Sequence, residues 1–476
     1  MNSEESVLTG VREHDYRSIN EEVESDRLGF VQELKLVICS SGILSISFFL
    51  QYFISVMAIY SAGRLGPSQL AAVQLAVSTF NVTGNAIYQG VATSLDAFCS
   101  RAYGQKKYHD VGNYFQKCAC LMLCLTVPLS CVWINSGFLL SKIISDTELV
   151  YRCQSYLRII TFGAPGLLLF EAGKRFLLCQ RIVHSITYIL SFVVVVNLIG
   201  NYFLVWNPKT SIGFLGIPIV VVILYWSLPI FTLLYVIFKD GKQCWGGFSL
   251  KICFSNWFPL MKLAIPGIIM VEAEYLAFQA LNFFAASFGT TALAAQSICS
   301  TMGSLIFQVN FSVSVLISTR IGHFIGSRDF RGADILIRIA LILASVIGCS
   351  SFFFIIIGRH ILAGFFTQDE KLLEKASKLL IYLAFNQFAD SFNVICGGIL
   401  RGQGRQNIGS IINLVCYYLI ALPIGYWFAF HQNMKVFGLW YGLVLGVFVL
   451  SVLQVFHILR SDWNLIAKNL QEKSRT

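Results

Sequence analysis

Three carboxylates stand inside apolar segments of the chain, where a charge is costly. Asp390 lies near the middle of segment 376–400, and Glu272 and Glu274 lie within segment 257–286. On insertion scales a carboxylate at the centre of a bilayer costs about 2.5–3.5 kcal/mol, so such residues usually serve a function. Desolvation favours the neutral form of a carboxyl group, whereas a nearby cation favours its charged form. One buried acid can therefore exchange a proton for a cationic substrate.

The helical positions of these acids decide which of them can act together. Glu272 and Glu274 are two residues apart, about 200° around a helix, so they point to roughly opposite faces. Both cannot face one cavity, and the spacing alone does not decide between them. Asp390 shares a helical face with Asn386 and Asn393, which can hydrogen-bond it. The alternative for each acid is a protonated structural carboxyl group bonded to a backbone carbonyl.

Two other segments carry polar residues every three or four positions. The first stripe is Gln74, Ser78, Asn81, Asn85 and Gln89. A constant shift along the chain aligns these residues, in order, with the second stripe, which is Ser297, Thr301, Ser304, Gln308 and Ser312. This spacing puts the polar groups on one helical face, which has no reason to face lipid. Interhelical hydrogen bonding explains any single residue equally well, but the two stripes together favour a water-filled cavity. We expect its lining to include Tyr275, Asn386, Asn393, Gln308, Thr301, Asn81, Asn85 and Gln51.

The composition is that of a polytopic membrane protein. Of 476 residues, 56% are hydrophobic and only 13% are charged, with a mean hydropathy of +0.68. Soluble domains carry about 25% charged residues. Because about 20 apolar residues span a bilayer, we predict an all-α integral membrane protein with twelve transmembrane helices. These helices cover about 36–62, 68–98, 113–136, 151–173, 185–206, 213–238, 257–286, 290–319, 333–358, 376–400, 408–430 and 437–459.

An even number of helices places both termini on one side of the membrane. Lys and Arg, including Lys174, Arg175 and Arg401, are concentrated in the segments assigned to that side, which indicates the cytoplasm. The net charge of +10 thus reflects topology rather than nucleic-acid binding. The predicted organisation is a polar cytoplasmic tail at 1–35, a first lobe at 36–238, a cytoplasmic linker at 239–256, a second lobe at 257–459 and a cytoplasmic tail at 460–476.

The two halves of the chain repeat at the same constant shift that relates the two polar stripes, which we call the repeat shift. Each half holds six helices, so the repeats are parallel and related by an axis along the membrane normal, with a site expected between or within the lobes near the midplane. The first half has no carboxylate at the positions equivalent to Glu274 and Asp390. Proton coupling is therefore expected in the second lobe. The aligned pairs include Gly66 and Gly289, Leu177 and Leu400, Gln51 and Glu274, and Leu167 and Asp390.

Other acids and the remaining reactive residues have plainer interpretations. Asp96 is close to Arg101, and Glu171 is one turn from Lys174, so local ion pairs near the membrane interface are expected. Other buried charges are expected to be acidic. Most of the fourteen cysteines lie in apolar stretches, where a thiol acts as a small hydrophobe. The seven His are scattered and form no metal cluster or nucleophile–base set, which argues against an enzyme, a cofactor or a metal.

Four motifs resemble those of the eukaryotic branch of the MATE (multidrug and toxic compound extrusion) family. They are LDAFCSRAYGQKK at 95–107, AQS at 295–297, TRIG at 319–322 and GGILRGQGRQ at 397–406. The resemblance covers residues 36–460. It implies two six-helix lobes around a V-shaped chamber and export of organic, often cationic compounds in exchange for protons or sodium. The family's eukaryotic acidic sites correspond to Glu274 and Asp390, although Tyr275-Leu276 stands where the family often has Trp-Trp. The resemblance thus favours Glu274 over Glu272, which is left as a secondary acid.

The resemblance also favours protons over sodium, a small organic substrate, a monomer, and the vacuolar or plasma membrane. Three other functions remain open at this stage: a sodium-coupled exchanger, a channel, and a flippase for lipid-linked substrates from a neighbouring family. Such a flippase would need a cationic chamber for a pyrophosphate group, whereas the predicted spans hold few Lys or Arg.

Overall fold

The computed structural model describes residues 4–142, 146–466 and 468, with side chains from Gly29 onward, and this part of the chain forms helices joined by turns, without strands. Twelve helical spans follow one another, as predicted, and are numbered here in chain order. Their bounds are Glu4–Leu65, Pro67–Gly104, Tyr108–Ile134, Thr147–Ile160 with Ala164–Cys179, His184–Trp206, Gly213–Phe238, Phe258–Ala286, Thr290–Ser327, Phe330–Gly364, Glu370–Gly402, Gln406–His431 and Val436–Leu459.

Span 4 is two helices rather than the single helix predicted at 151–173. A turn at 161–163 separates Thr147–Ile160 from Ala164–Cys179. Pro165 lies in the first turn of the second piece, where its missing N–H breaks no helical hydrogen bond. Ten of the twelve spans are individually long and apolar enough to cross a membrane. The other two are this broken span and span 7, which contains two glutamates and a lysine.

The helix bounds repeat with the same period as the sequence. The repeat shift takes both ends of span 2, Pro67–Gly104, onto the ends of span 8, Thr290–Ser327. It also takes the outer ends of span 4, Thr147 and Cys179, onto those of span 10, Glu370–Gly402. The predicted parallel repeat of six helices is thus confirmed at the level of helix bounds.

Three large clusters of buried apolar side chains form the core. One combines residues of both halves, such as Leu44 and Ile317. The other two run from Ala58 to Ala264, mostly in the first half, and from Ala273 to Leu450 in the second. Trp133 and Trp440 are their largest fully buried side chains. Buried indole N–H groups need acceptors, and these donate to Thr83 Oγ1 (2.8 Å) and Gln296 Oε1 (2.6 Å), respectively.

The two lobes meet at one end of the molecule, where span 7 and the apolar part of span 1 begin and where spans 2 and 8 end. There the backbones approach closely: a Cβ atom on Gly90 of span 2 would lie 2.5 Å from the Ile268 Cα atom of span 7. Gly326 of span 8 makes a similar approach to the backbone around Arg101. Only glycine permits such contact, so this end of the interface is closed, and we call it the closed end.

Candidate functional site

A cavity of about 370 Å³ lies between the two lobes. Spans 1, 2, 4, 6, 7, 8, 10 and 12 contribute to it, at positions in the half of the molecule away from the closed end. Glu274 and Asp390 both face this cavity, as do five of the residues expected to line it. Those five are Gln51, Asn81, Asn85, Tyr275 and Gln308.

Thr301, Asn386 and Asn393 lie outside the lining, in contrast to their expected places. Thr301 is turned away, and its hydroxyl donates to the Ser297 carbonyl of its own helix at 2.9 Å. Asn386 and Asn393 are buried behind the cavity wall. Helical spacing assigned each of them to a polar face, but a helix has only a narrow strip in contact with any one cavity.

Glu272 also lies outside the cavity lining. Both of its carboxyl oxygens are buried and have no hydrogen-bond partner among the described residues. The two glutamates of span 7 thus point in different directions, as their separation of about 200° around the helix predicts. Glu274 lines the cavity, and Glu272 contacts other parts of the second lobe.

Several lining residues were missed by the sequence prediction. Gln279 and Asn282 continue the face of Tyr275 by one and two turns, so helical spacing alone was a sufficient signal for them. Gln279 Nε2 donates to Ser78 Oγ at 3.1 Å, which joins the two lobes across the cavity. The aromatic lining residues gave no signal because aromatic side chains occur throughout the apolar spans, whichever way they face. They are Phe48, Tyr52, Tyr225, Phe278, Phe307, Phe311 and Trp440.

The cavity is built from equivalent positions of the two repeats. Nine pairs of lining residues correspond at the repeat shift. They are Gln51 and Glu274, Tyr52 and Tyr275, Ser55 and Phe278, Val56 and Gln279, Ile59 and Asn282, Val77 and Ser300, Asn81 and Ser304, Asn85 and Gln308, and Leu167 and Asp390. The axis relating the repeats therefore passes through the cavity, and among the described lining residues the carboxylates occur on one side of it only.

A chain of hydrogen bonds behind the cavity wall supports Asp390. Asn393 Nδ2 donates to Asp390 Oδ1 at 3.1 Å, and Gln454 Nε2 donates to Asn393 Oδ1 at 3.3 Å. Gln454 Nε2 also donates to Asn413 Oδ1 at 3.2 Å. Asn413 Nδ2 in turn donates to the Met270 carbonyl at 3.0 Å. The chain connects spans 10, 12 and 11 to span 7, one turn before Glu274.

Neither cavity acid has a fixed counter-ion within the described part of the chain. The ion pairs recorded there do not include Glu274 or Asp390. Asp390 is 5% exposed and Glu274 is partly exposed to the cavity. A carboxylate in such surroundings is stabilised when it binds a proton or an external cation, which is the chemistry the arrangement can perform.

Buried cations correct the expectation that the remaining buried charges are acidic. Lys174, Arg175 and Arg401 were assigned to cytoplasmic loops, but their exposed fractions are only 2%, 2% and 6%, respectively. Arg175 Nη1 lies 3.1 Å from both carboxyl oxygens of Asp96, so the partner of Asp96 is not Arg101. These contacts join residues far apart in sequence, and local spacing could not reveal them. None of these three cations lines the cavity, which remains acidic.

Polar contacts between lobes seal the closed end. His323 Nε2 donates to the Cys179 carbonyl at 2.7 Å, and Gln406 Nε2 donates to the Thr93 carbonyl at 3.2 Å. Glu33, just before the apolar part of span 1, forms an ion pair with Arg320 near the end of span 8. Each contact joins one lobe to the other, so separation of the lobes at this end would break them.

Comparison with known proteins extends these findings. The MatE family model matches residues 44–203 and 266–427, two segments whose starts are separated by nearly the repeat shift. An uncharacterized transporter of Saccharomyces cerevisiae, YDR338C, is 35% identical over 461 residues, which are 97% of this chain and 66% of the yeast protein. Multidrug and toxin extrusion protein 1 of Mus musculus is 28% identical over 447 residues, covering 93% of this chain and 78% of that protein.

The fold also matches a solved transporter. The crystal structure of the eukaryotic MATE transporter AtDTX14 superposes with a TM-score of 0.88 at 23% identity, covering 94% of this chain and 99% of that one. Because the match covers 94% of this chain, it includes both lobes.

Proposed function

The chain belongs to the MATE family of transporters, and from this membership and the cavity we propose that it exports small organic compounds, cationic or amphiphilic, in exchange for protons. The observation that carries the proposal is the pair Glu274 and Asp390, which line one cavity between the lobes without a fixed counter-ion among the described residues. The proposed site residues are these two acids, with Glu272 as a secondary acid only.

Competition for these carboxylates accounts for exchange. A deprotonated acid attracts an organic cation, and a protonated acid is neutral and releases it. The cavity would load substrate from the cytoplasm when the closed end opens, and protons from the opposite side when that end is shut. Each cycle then moves substrate and protons in opposite directions.

The rest of the lining fits an organic cation. Aromatic rings such as Phe48, Phe311 and Trp440 offer apolar contact and a negative face to a cation. Amide and hydroxyl groups from both lobes can hydrogen-bond polar substituents. A lipid-linked pyrophosphate would instead need cations in the lining, and the lining formed by the described residues contains no Lys or Arg. This supports an exporter over the neighbouring-family flippase.

Orientation and location belong to the same proposal. We place both termini, and with them the closed end, in the cytoplasm, and the protein in the vacuolar or plasma membrane. A single chain supplies the cavity lining, which is consistent with function as a monomer. Sodium remains the competing ion, because carboxylate and amide oxygens can also bind it.

The proposal is tested with the purified protein in sealed proteoliposomes. Two organic cations, ethidium and tetraethylammonium, are supplied outside while either a proton or a sodium gradient is imposed. We expect accumulation driven by an acidic interior and no accumulation driven by internal sodium at equal pH. Accumulation under sodium alone would establish the sodium-coupled alternative. Flux that only equalises concentrations would indicate a channel, and the absence of any gradient-driven flux of cations would contradict the proposal.

A further inference from the structure

The first lobe contains a buried carboxylate that the proposed exchange does not use. Glu171 of span 4 is completely buried, and its Oε1 atom accepts hydrogen bonds from Lys174 Nζ at 2.8 Å and Gln51 Nε2 at 3.0 Å. Lys174 Nζ also donates to Gln51 Oε1 at 3.1 Å. Gln51 lines the cavity, and so does Leu167, one turn before Glu171. Glu171 therefore lies one side chain away from the cavity.

Several contacts of Lys174 stabilise a charged ammonium group at this buried position. Its ammonium group lies 5.1 Å from the ring centre of Phe48 and 5.5 Å from that of Phe170, positions in which aromatic faces attract a cation. It is 2% exposed, and a buried ammonium persists when paired and hydrogen-bonded. Glu171 Oε2 has no hydrogen-bond partner among the described residues. The ion pair of Lys174 and Glu171 therefore engages only one of the two carboxyl oxygens.

The other charged and titratable groups around the pair, in the part of the chain that the structure describes, are few. Arg175 lies on the same helix and is paired with Asp96 of span 2. Tyr225 of span 6 and Tyr275 of span 7 also interact electrostatically with Glu171. The two tyrosines are neutral in the physiological pH range, and Arg175 is occupied. Lys174 is therefore the group that determines the charge balance at Glu171.

The second lobe lacks this cation at the equivalent position. The repeat shift places Glu171 on Val394 and Lys174 on Gly397, while Gln51 falls on Glu274. Arg401 lies further along that helix and interacts electrostatically with Glu274, but its hydrogen bond at 2.6 Å goes to Ser314 Oγ and not to the acid. The lobes thus differ in one respect that matters for exchange: the buried acid of the first lobe carries its own ammonium group.

We propose that Lys174 is a specificity-determining residue that confines exchange to the second lobe. As a permanent internal counter-ion it occupies Glu171, so that neither a proton nor an external cation binds there. The inference rests on the proposed function, because it concerns the number of sites that exchange. Removing the ammonium group would leave Glu171 as a second exchangeable site, reached from the cavity past Gln51.

The test maps which buried carboxyl groups become protonated, and it needs no substrate. The purified protein is treated over a range of pH with dicyclohexylcarbodiimide, an apolar reagent that modifies protonated carboxyl groups, and the modified peptides are quantified by mass spectrometry. In the wild-type protein we expect Glu274 and Asp390 to be modified as the pH falls and Glu171 to remain unmodified. Modification of Glu171 together with the other two would overturn the inference without any variant.

Variants at position 174 make the test sharper. In Lys174→Met, modification of Glu171 at mildly acidic pH should rise on the order of tenfold or more, because a buried carboxylate that loses its paired cation binds a proton more tightly. Lys174→Arg keeps a cation and should leave Glu171 unmodified. An unmodified Glu171 in a folded Lys174→Met protein would contradict the inference. Failure of Glu274 and Asp390 to be modified at any pH would instead contradict the proposed function.

Discussion

At the scale of single residues, the acids were easier to locate from the sequence than their partners. Apolar surroundings singled out Asp390, Glu272 and Glu274, the family resemblance favoured Glu274 over Glu272, and the structure places Glu274 and Asp390 in one cavity. Their partners depend on which strip of each helix meets the cavity, and periodicity defines that strip only to within about one residue. This is why Ser300 and Ser304 line the cavity while Thr301 does not.

The two glutamates of span 7 provide a matched pair of substitutions. Glu274→Gln and Glu272→Gln make the same chemical change two residues apart, once inside the cavity lining and once outside it. We expect Glu274→Gln to lower pH-driven export by at least about tenfold, the range typical of losing one charge-assisted contact. Glu272→Gln should retain most activity. Equal losses in proteoliposome transport would contradict the assignment of Glu274.

The hydrogen-bond chain behind Asp390 gives a stability prediction. Gln454 is fully buried and donates to both Asn393 and Asn413. Interhelical hydrogen bonds within membranes contribute about 0.6 kcal/mol on average and up to about 1.7 kcal/mol. Gln454→Leu removes two of them and should therefore destabilise the protein by about 1–2 kcal/mol, measured by unfolding in detergent. If the stability does not change measurably, the hydrogen-bond chain behind Asp390 does not stabilise the protein.

At the scale of helices, the prediction succeeded wherever long apolar runs are bounded by clear turns. It failed within span 4, because a continuous apolar run conceals the turn at 161–163. The sequence Gly163-Ala164-Pro165-Gly166 contained the signal, since glycine and proline commonly mark helix ends. Packing against span 6 also constrains the sequence at this turn. A Cβ atom on Gly166 would collide with the Tyr225 backbone of span 6, so only glycine fits there.

Close helix packing at the closed end can be tested with one glycine. In Gly90→Val the added side chain would meet the Ile268 backbone, which cannot move aside as a side chain can. We expect the lobes to separate there, seen by pulsed electron paramagnetic resonance as a longer distance between spin labels at Lys107 and Arg328. Gly42→Val is the control, because a Cβ atom at Gly42 has no neighbour within 4 Å. Unchanged distances in Gly90→Val would contradict the role of this contact.

At the scale of the whole molecule, the repeat was predictable because one shift governs both sequence and helix bounds. The charge asymmetry of the cavity was also predictable, since Gln51 and Leu167 stand opposite the two acids. The buried cations were not, because the Arg175–Asp96 pair joins residues from different spans that only the folded lobe brings together. Charge counting along the chain therefore assigned residues to loops that the fold buries.

The position of the cavity predicts one-sided access. Cysteines replacing Asn85 and Gln308, in a protein without native thiols, should react with a membrane-impermeant thiol reagent added from the side opposite the termini. Leu305 lies one turn before Gln308 outside the cavity lining and serves as the control site. Removal of native thiols matters because Cys299 itself lines the cavity. Equal reactivity at all three sites would argue against a hydrated cavity between the lobes.

The central claim is that Asp390 and Glu274 exchange a proton for an organic cation. The most direct measurement follows ethidium uptake and internal pH at the same time in sealed, acid-loaded proteoliposomes, for the wild-type protein and for Asp390→Asn. The amide keeps the shape of the acid and costs less to bury than a charge, so the variant should fold and insert normally. We expect the wild-type protein to release protons as ethidium enters, and Asp390→Asn to do neither. Proton-coupled uptake by Asp390→Asn at the wild-type ratio would contradict the claim.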